Sequence, residues 1–497
     1  MRGSRTETKR EDRGSMSLRK NLIAVLLALI FCFAGVFYSC KEIPRDNSFS
    51  GTQSKSDYVA ATEPLKVHPS NPRYFTDGTG KPIYLTGSHS WFNLQDGGYT
   101  NPPPVFDYTG YLAFMQAYNH NFMRMWVWEN AWGTVEGARK FYHSPLPYER
   151  KGPGLALDGA PKFNLKQFNQ AYFDRLRQRV IAARNQGIYV SIMLFQGWSI
   201  QKKKRSPWNL WLGHPFNRNN NVNGINGDLN GDGNGEECHT LLEATIIALQ
   251  EAYVRKVVDT VNGLENVLYE ISNEEPATSE NTKWQYHIIN YIHSYEISKF
   301  KQHPVGMTVQ FPGGSNSVVF ASPADWVSPK DEGAYRDNPP AADRSKVIIS
   351  DTDHLGPVQP SWVWKSFLRG LNPILMDWYG KSSPWYSDAD QETMRRYMGY
   401  TLTYANKMNL ASMVPRNDLA STKYCLANPG KEYLIYLPLG WNEMVVVDLS
   451  GSLGELQLEW FNPRTGKTTD GGTTKGGERR SFRSPFTGDA VLYIQGL

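Results

Sequence analysis

Acidic residues close several apolar runs in this chain. The stretch NVLYEISNEEP (266–276) places Val267, Leu268, Tyr269 and Ile271 in a core-like run that stops at Asn273, Glu274 and Glu275. A carboxylate next to a core is costly without partners, so its presence asks for a purpose. KVIISDTDH (346–354) does the same with Asp351, Asp353 and His354. Other runs end on His89 and Trp91, on Arg124 to Trp128 and Glu129, on Gln196-Gly197-Trp198, and on Asp377-Trp378-Tyr379. Two carboxylates facing each other among Trp and Tyr side chains are what cleavage of a glycosidic bond requires. One protonates the leaving oxygen and the other attacks or activates water. The field of the second carboxylate and local desolvation keep the acid protonated near neutral pH.

The elements that must carry these groups have a repeating order. Eight apolar runs (83–91, 122–130, 189–198, 267–275, 305–312, 325–329, 346–353 and 373–379) read as strands, several of them near-continuous in Val, Ile, Leu and Met. Such runs suit parallel strands covered on both faces. Helical patterns lie between them at 168–187, 241–263, 282–300 and 391–408. The order predicts an α/β fold, a (β/α)8 barrel over residues 66–408, whose reacting groups sit at the C-terminal strand ends. No long helical pattern follows 325–329. From residue 409 the pattern changes to short strands (EYLIYLP, MVVVDLS, LQLEWFNP, AVLYIQG) with Gly-rich turns, predicting a small all-β sandwich over 409–497 that packs on the barrel.

Composition narrows the function class. The 15 Trp, 27 Tyr and 22 Phe of 497 residues exceed what an ordinary core calls for and suit a surface that grips sugar rings. The net charge of +5 is concentrated at the start, where the first 39 residues hold seven Lys or Arg against three acids. The remainder is close to neutral, which excludes a nucleic-acid binder. The isolated KKKR run (202–205) reads as a solvated loop.

The run NVLYEISNEEP resembles the strand-four signature of clan A glycoside hydrolases, an apolar-Tyr-Glu-apolar-x-Asn-Glu-Pro segment. The resemblance implies that Glu274 is the catalytic acid/base and that Asn273 holds a sugar hydroxyl, with Glu275 a departure before Pro276. Arg124 resembles the clan's strand-two Arg, which hydrogen-bonds the nucleophile, and Trp378 its strand-eight platform. The clan's strand-seven nucleophile is Glu; here Asp351 stands in that place, with Asp353 a second candidate. Retention of configuration is the expectation, although the shorter Asp opens the carboxylate gap from about 5–5.5 Å toward the inverting range of about 6.5–9.5 Å. His89, Trp91, Trp128, Gln196 and His354 complete the expected substrate-binding set. Trp91, Trp126 and Trp128 alternate poorly, so at least one is core. The barrel, the sandwich and WFNPRTGK (460–467) further resemble a group of Bacteroidetes-type lipoproteins that join a cellulase-like or apiosidase-like barrel to a C-terminal domain named for collagen binding. Two rival classes remain: a surface glycan-binding protein on a degenerate barrel, and a matrix-protein adhesin acting through residues 409–497.

GDLNGDGNGEE (227–237) carries a second chemistry. Asp228, Asn230 and Asp232 occupy positions 1, 3 and 5 of a calcium-loop pattern with Gly233 at 6. Asn234 offers a carbonyl and Glu236 a carboxylate, so Ca²⁺ is expected as a structural ion. His239 replaces the bidentate Glu at position 12, which sets this loop apart from an EF-hand.

The N-terminus reads as a targeting segment: Arg19-Lys20, then LIAVLLALIFCFAGVF, then Ser39-Cys40. It resembles a bacterial lipoprotein signal with Phe37 in place of Leu, predicting export, cleavage after residue 39, lipidation of Cys40 and membrane attachment through a tether over residues 40–65. Met16 is an alternative start. Cys238 and Cys425 are the remaining thiols, and their separation does not support a bridge. Oligomeric state is not legible here.

Overall fold

The computed structural model describes residues 62–497 except 136–137, 202–207 and 442. The predicted signal, Cys40, most of the tether and the KKKR run lie outside the described residues. No helix among the described residues is long and apolar enough to cross a membrane.

Eight parallel strands form the barrel: β1 (Gly87–His89), β2 (Phe122–Met125), β3 (Tyr189–Gln196), β4 (Val267–Asn273), β5 (Val305–Thr308), β6 (Trp326–Ser328), β7 (Val347–Asp351) and β8 (Asn372–Met376). Consecutive strands pair in order, β8 pairs with β1, and a bridge from Ser90 to Met125 closes the ring between β1 and β2. Seven strands fall inside a run read from the sequence, but shorter, and β8 begins one residue before its run, at Asn372. The runs at 83–91 and 122–130 leave the sheet early because the segments beyond their strands become loops over the mouth. Helices Gln170–Arg184, Ala244–Val261, Ser279–Glu296 and Asp388–Lys407 stand where periodicity placed them. Helix Tyr108–Ala117 was not anticipated; Gly110 and three aromatic residues blur its apolar stripe. Between β6 and β7 the described residues contain no helix.

Side chains two residues apart share a strand face, so each barrel strand stacks its inward residues in tiers. The lower tier is apolar: Phe122, Leu268, Trp326, Val347, Ile349 and Ile374 form one cluster. Leu65 and Phe75, from the short antiparallel pair Lys66–Val67 and Phe75–Thr76, join it and close the barrel floor. A methyl group on Gly306 would meet the Trp326 ring at 1.8 Å, so glycine at this position lets the indole cross the interior. One step up, most strands turn polar, with His89, Arg124, Glu270, Ser328 and Asp351 all buried, while β8 carries Met376.

The sandwich has a six-stranded antiparallel sheet in the order Val414–Pro415, Cys425–Asn428, Glu432–Leu437, Ala490–Gly496, Glu455–Asn462, Lys467–Lys475. Met444–Asp448 pairs with Arg479–Arg483 as a second layer. The Glu432–Leu437 strand is buried on both faces. Tyr433, Ile435 and Leu437 face the sandwich core, while Leu434 and Tyr436 join the barrel's own core. Trp364, in helix Trp362–Leu368, stacks on Tyr436 at 6.1 Å and meets Phe461 at 6.0 Å. Tyr397 and Tyr436 both donate to Asp489. Cys238 and Cys425 are both buried free thiols in separate clusters.

The shared core predicts that Trp364→Ala costs about 3–5 kcal/mol, the range for deleting a buried large aromatic. Guanidinium denaturation measures it; a loss below about 1 kcal/mol would show that this contact does not hold the two layers together.

Candidate active site

Arg124 organises the upper tier. Extending from β2 into the barrel, its guanidinium donates from Nε to Glu270 Oε2 at 2.8 Å and from Nη2 to Glu270 Oε1, a bidentate grip on β4. Nη1 donates to Asp351 Oδ2 at 2.7 Å and to Asp353 Oδ2 at 3.1 Å, both at the end of β7. Nη2 also reaches Asn273 Oδ1 at 2.8 Å. The guanidinium lies over Trp126, 5.2 Å from the ring centre. One arginine thus ties β2, β4 and β7 together. Glu270 was not among the residues singled out from the sequence. Its signal was there, since it stands four residues before Glu274 and two after the inward-facing Leu268.

The carboxylates at β7 have opposite characters. Burial alone would raise the Asp351 carboxyl, but His89 and Arg124 outweigh it and hold it well below the usual range. Asp351 is fully enclosed and accepts from His89 Nε2, Arg124 Nη1 and the Asp353 backbone N–H. Asp353 sits above it, its side chain 6% exposed. Burial pushes its carboxyl up; Arg124 opposes this and the Asp351 charge adds to it. Two neighbouring acids sharing one Nη1 do not ionise independently, and of the two Asp353 is the one that takes up a proton more readily. His354 is pushed down to about 3 by burial and then by Arg124, so the ring is neutral. Its Nε2–H donates to Asn273 Oδ1 at 3.1 Å, and Nδ1 accepts from the Ser328 hydroxyl at 2.8 Å. His354 therefore spans the mouth from β7 to β4 and roofs Asp351.

Glu274 follows β4 directly, with φ +46° and partial exposure. A non-glycine residue in the left-handed region costs about 1–3 kcal/mol, and such strain clusters at functional sites. Trp198, after β3, donates its indole N–H to Glu274 Oε2. Gly197 makes this approach possible, since a Cβ there would lie 2.4 Å from the Glu274 carbonyl oxygen. Trp198 also packs edge-on to Trp208 at 5.4 Å. Across the mouth, Trp91 and Trp378 are both half-buried with rings 4.9 Å apart, and Trp385 extends this wall.

Several expected substrate contacts are placed one layer back. His89 has no exposed surface; it binds Asp351 and stacks on Trp126 at 5.7 Å. Gln196 is equally enclosed, accepting from the Trp198 N–H. Trp128 is 5% exposed, stacks on His143 at 4.6 Å and donates to the Trp91 carbonyl, so it backs the aromatic wall. These three, with Arg124, orient other groups. The sequence could not separate them from Trp91 because all follow strand ends. Glu275 is buried structure: it accepts from Ser272, His239 and Asn281.

In the 228–236 loop, Asp228 accepts from the N–H groups of Gly231, Asp232 and Gly233, and Asp232 from that of Asn234. Asn230 donates to Glu237. Among the described residues no three His, Cys, Asp or Glu side chains gather as a metal cluster. A cavity of about 380 Å³ between the loops after β1 and β2, lined in part by Tyr142, Glu149, Lys151 and Asn169, contains none of the mouth carboxylates.

Residues 411–495 match the family model described as "Putative collagen-binding domain of a collagenase". Solved structures similar over most of the chain are glycoside hydrolases. One, described as "Glycoside hydrolase", has a TM-score of 0.56 at 13% identity, covering 88% of this chain and 98% of that one. A glycoside hydrolase family 5 protein from Bacteroides vulgatus has a TM-score of 0.57 at 14% identity, covering 87% and 92%. At these identities the likeness is one of fold: a barrel followed by a sandwich. No curated protein matches the sequence.

Replacing Arg124 by Leu leaves Glu270, Asp351 and Asp353 buried without their cation, a change expected to cost about 3–5 kcal/mol. Asp351, held low in the folded state, contributes stability above its unfolded pKa and loses it as pH falls through the folded value. The deficit should therefore be full at neutral pH and shrink in acid. Equal deficits at both pH values, read by denaturant titration, would contradict this electrostatic account.

Proposed function

We propose that this chain is a glycoside hydrolase that cleaves O-glycosidic bonds of an oligo- or polysaccharide. The observation that carries the proposal is the pairing of acidic strand ends at one barrel mouth: Glu274 on β4, and Asp351 with Asp353 clamped by Arg124 on β7. Glu274, partly exposed and bonded by Trp198, is the acid/base. The β7 pair supplies the second carboxylate, and retention follows if that carboxylate attacks the anomeric carbon. Asp353 is the member closer to the mouth, and Asp351 stays ionised beneath it, as the counter-charge of Arg124 and a hydrogen-bond partner of His89. Trp91, Trp378 and Trp198 offer apolar faces to sugar rings. The fold shared with glycoside hydrolases supports this reading.

A second reading, sugar binding without turnover, draws support from the enclosure of Asp351. Catalysis separates the two. Glu274→Gln should lower kcat by about 10²–10⁴-fold with an unchanged thermal midpoint. Unaltered turnover in this variant rules out the assigned acid/base. Because Asp353 must be ionised to attack, kcat/KM should fall on the acid side at a pH displaced toward neutrality. Asp351→Asn removes a charge that raises Asp353 and should move that limb to lower pH; a limb that stays put removes Asp353 from the mechanism. Proton NMR of the first-formed anomer reads retention against inversion.

Ca²⁺ in the loop of Asp228, Asn230, Asp232, Asn234 and Glu236 is a further part of the proposal, supported by their spacing and by the oxygen-rich donor set. Chelation with EGTA should lower the thermal midpoint and added Ca²⁺ restore it; indifference to both ends the case for the ion. Export as a lipoprotein anchored through Cys40 is supported by the apolar run before it. Cys40→Ser should move the protein from the membrane fraction to the soluble one, and continued membrane association would count against lipidation at this residue.

A further inference from the structure

Glu274 leaves β4 in the left-handed region, and the residues on either side of it are fixed. Asn273 is held by Arg124 and His354. Glu275 is held by a separate buried group whose centre is His239. The His239 ring donates from Nδ1 to Glu275 Oε1 at 2.8 Å, and its Nε2 lies 3.4 Å from Glu129 Oε1. It lies flat on Trp284, with ring centres 4.4 Å apart and planes within 3°. Glu129 Oε1 also accepts the Gln196 N–H at 2.7 Å, and the next residue, Gly197, donates to the Asn273 carbonyl. A Cβ at Gly197 would meet the Glu274 backbone, so glycine there lets the two segments approach. His214 stands 3.4 Å from the other Glu129 oxygen. The imidazole of His239 thus joins the segments that follow β2, β3 and β4 at the point where Glu274 leaves the sheet.

Burial opposes a charge on His239, but Glu275 and Glu129 outweigh it and push the group up to about 10. Burial would raise the Glu129 carboxyl, but His239 and His214 outweigh it and bring it down to about 2. Neither His239 nor Glu275 is open to a ligand: His239 has no exposed surface and Glu275 is 1% exposed.

We infer that His239 and Glu275 are positioning residues that set the backbone and carboxylate of Glu274, with Glu129 as the second anchor of His239. This rests on the reading of Glu274 as acid/base. Their loss leaves substrate contacts in place and displaces the acid, so it acts on proton donation to the leaving group and not on binding.

His239→Gln and Glu275→Gln, both near-isosteric, test it, and either suffices if the other fails to fold. The probes are aryl β-glycosides drawn from glucoside, mannoside, galactoside and xyloside series, each with a poor (phenol) and an activated (2,4-dinitrophenol) leaving group. The activated ether needs no proton. The expected result is a fall in kcat of about 10- to 100-fold on the phenyl glycoside, the scale for misplacing a catalytic group by about 1 Å. KM should change little, and the dinitrophenyl substrate should be nearly unaffected. An equal loss on both substrates would mean a structural role alone and overturn the inference. Glu274→Gln, run in parallel, separates the two claims. If it shows no leaving-group dependence, the acid/base reading itself fails. If it does and His239→Gln does not, only the positioning role fails. A crystal structure of either variant gives a readout free of substrate: loss of the Trp198–Glu274 contact is expected, and an unchanged contact and φ at Glu274 would overturn the role.

Discussion

The guanidinium of Arg124, almost wholly removed from solvent, meets the carboxylates of Glu270, Asp351 and Asp353 below the barrel mouth. Most of the site depends on this contact. Buried charges of this kind give little net stability compared with a well-packed apolar set, because desolvation consumes the Coulomb gain. Their effect is geometric. An apolar floor of Phe122, Leu268, Trp326 and Ile349 closes the barrel below, and most strands then turn polar one inward step higher. The guanidinium fixes how far β7 stands from β4, and so how the acids at their ends face one another.

From that clamp the site separates into two levels. Beneath are buried groups held by protein partners: Asp351 between His89 and Arg124, Gln196 under Trp198, Trp128 behind Trp91. Above are the half-buried groups able to meet a ligand: Glu274, the Trp91 and Trp378 faces, and Trp198. Asp353 stands between the levels. At the mouth, Glu274 takes the left-handed conformation and is flanked on both sides by residues held in buried hydrogen bonds. The sandwich shows the same economy. Its Glu432–Leu437 strand serves two cores at once, which is why that stretch is apolar at nearly every position instead of alternating.

Much of the barrel was legible because its strands are buried on both faces, and continuous apolar runs such as YVSIMLF and VIIS have no other stable home. The acids were visible because charge at the end of such a run is expensive. Strand lengths were not legible. Trp126 to Asn130 continue the apolar run of β2 but fold over the mouth, where Trp126 lies on Arg124 and His89. The small sheet of Asp96–Gly98, Trp132–Thr134 and Lys140–Ser144 within those loops was missed for the same reason. Glu270 was passed over although period-two alternation pointed it inward, and His239 was weighed only as a departure from a calcium loop.

The sequence by itself determined the eight barrel strands, the long helices between them, their order, and which strand ends carry charge, because periodicity and the cost of burying a carboxylate are local properties of the chain. Only the tertiary structure decided which of those charged and aromatic groups face the mouth and which lie behind it. That choice belongs to contacts between residues far apart in the chain, such as Arg124 with Asp351 or His239 with Glu129 and Glu275. Closing the barrel brings these partners together, and no spacing within one segment records it.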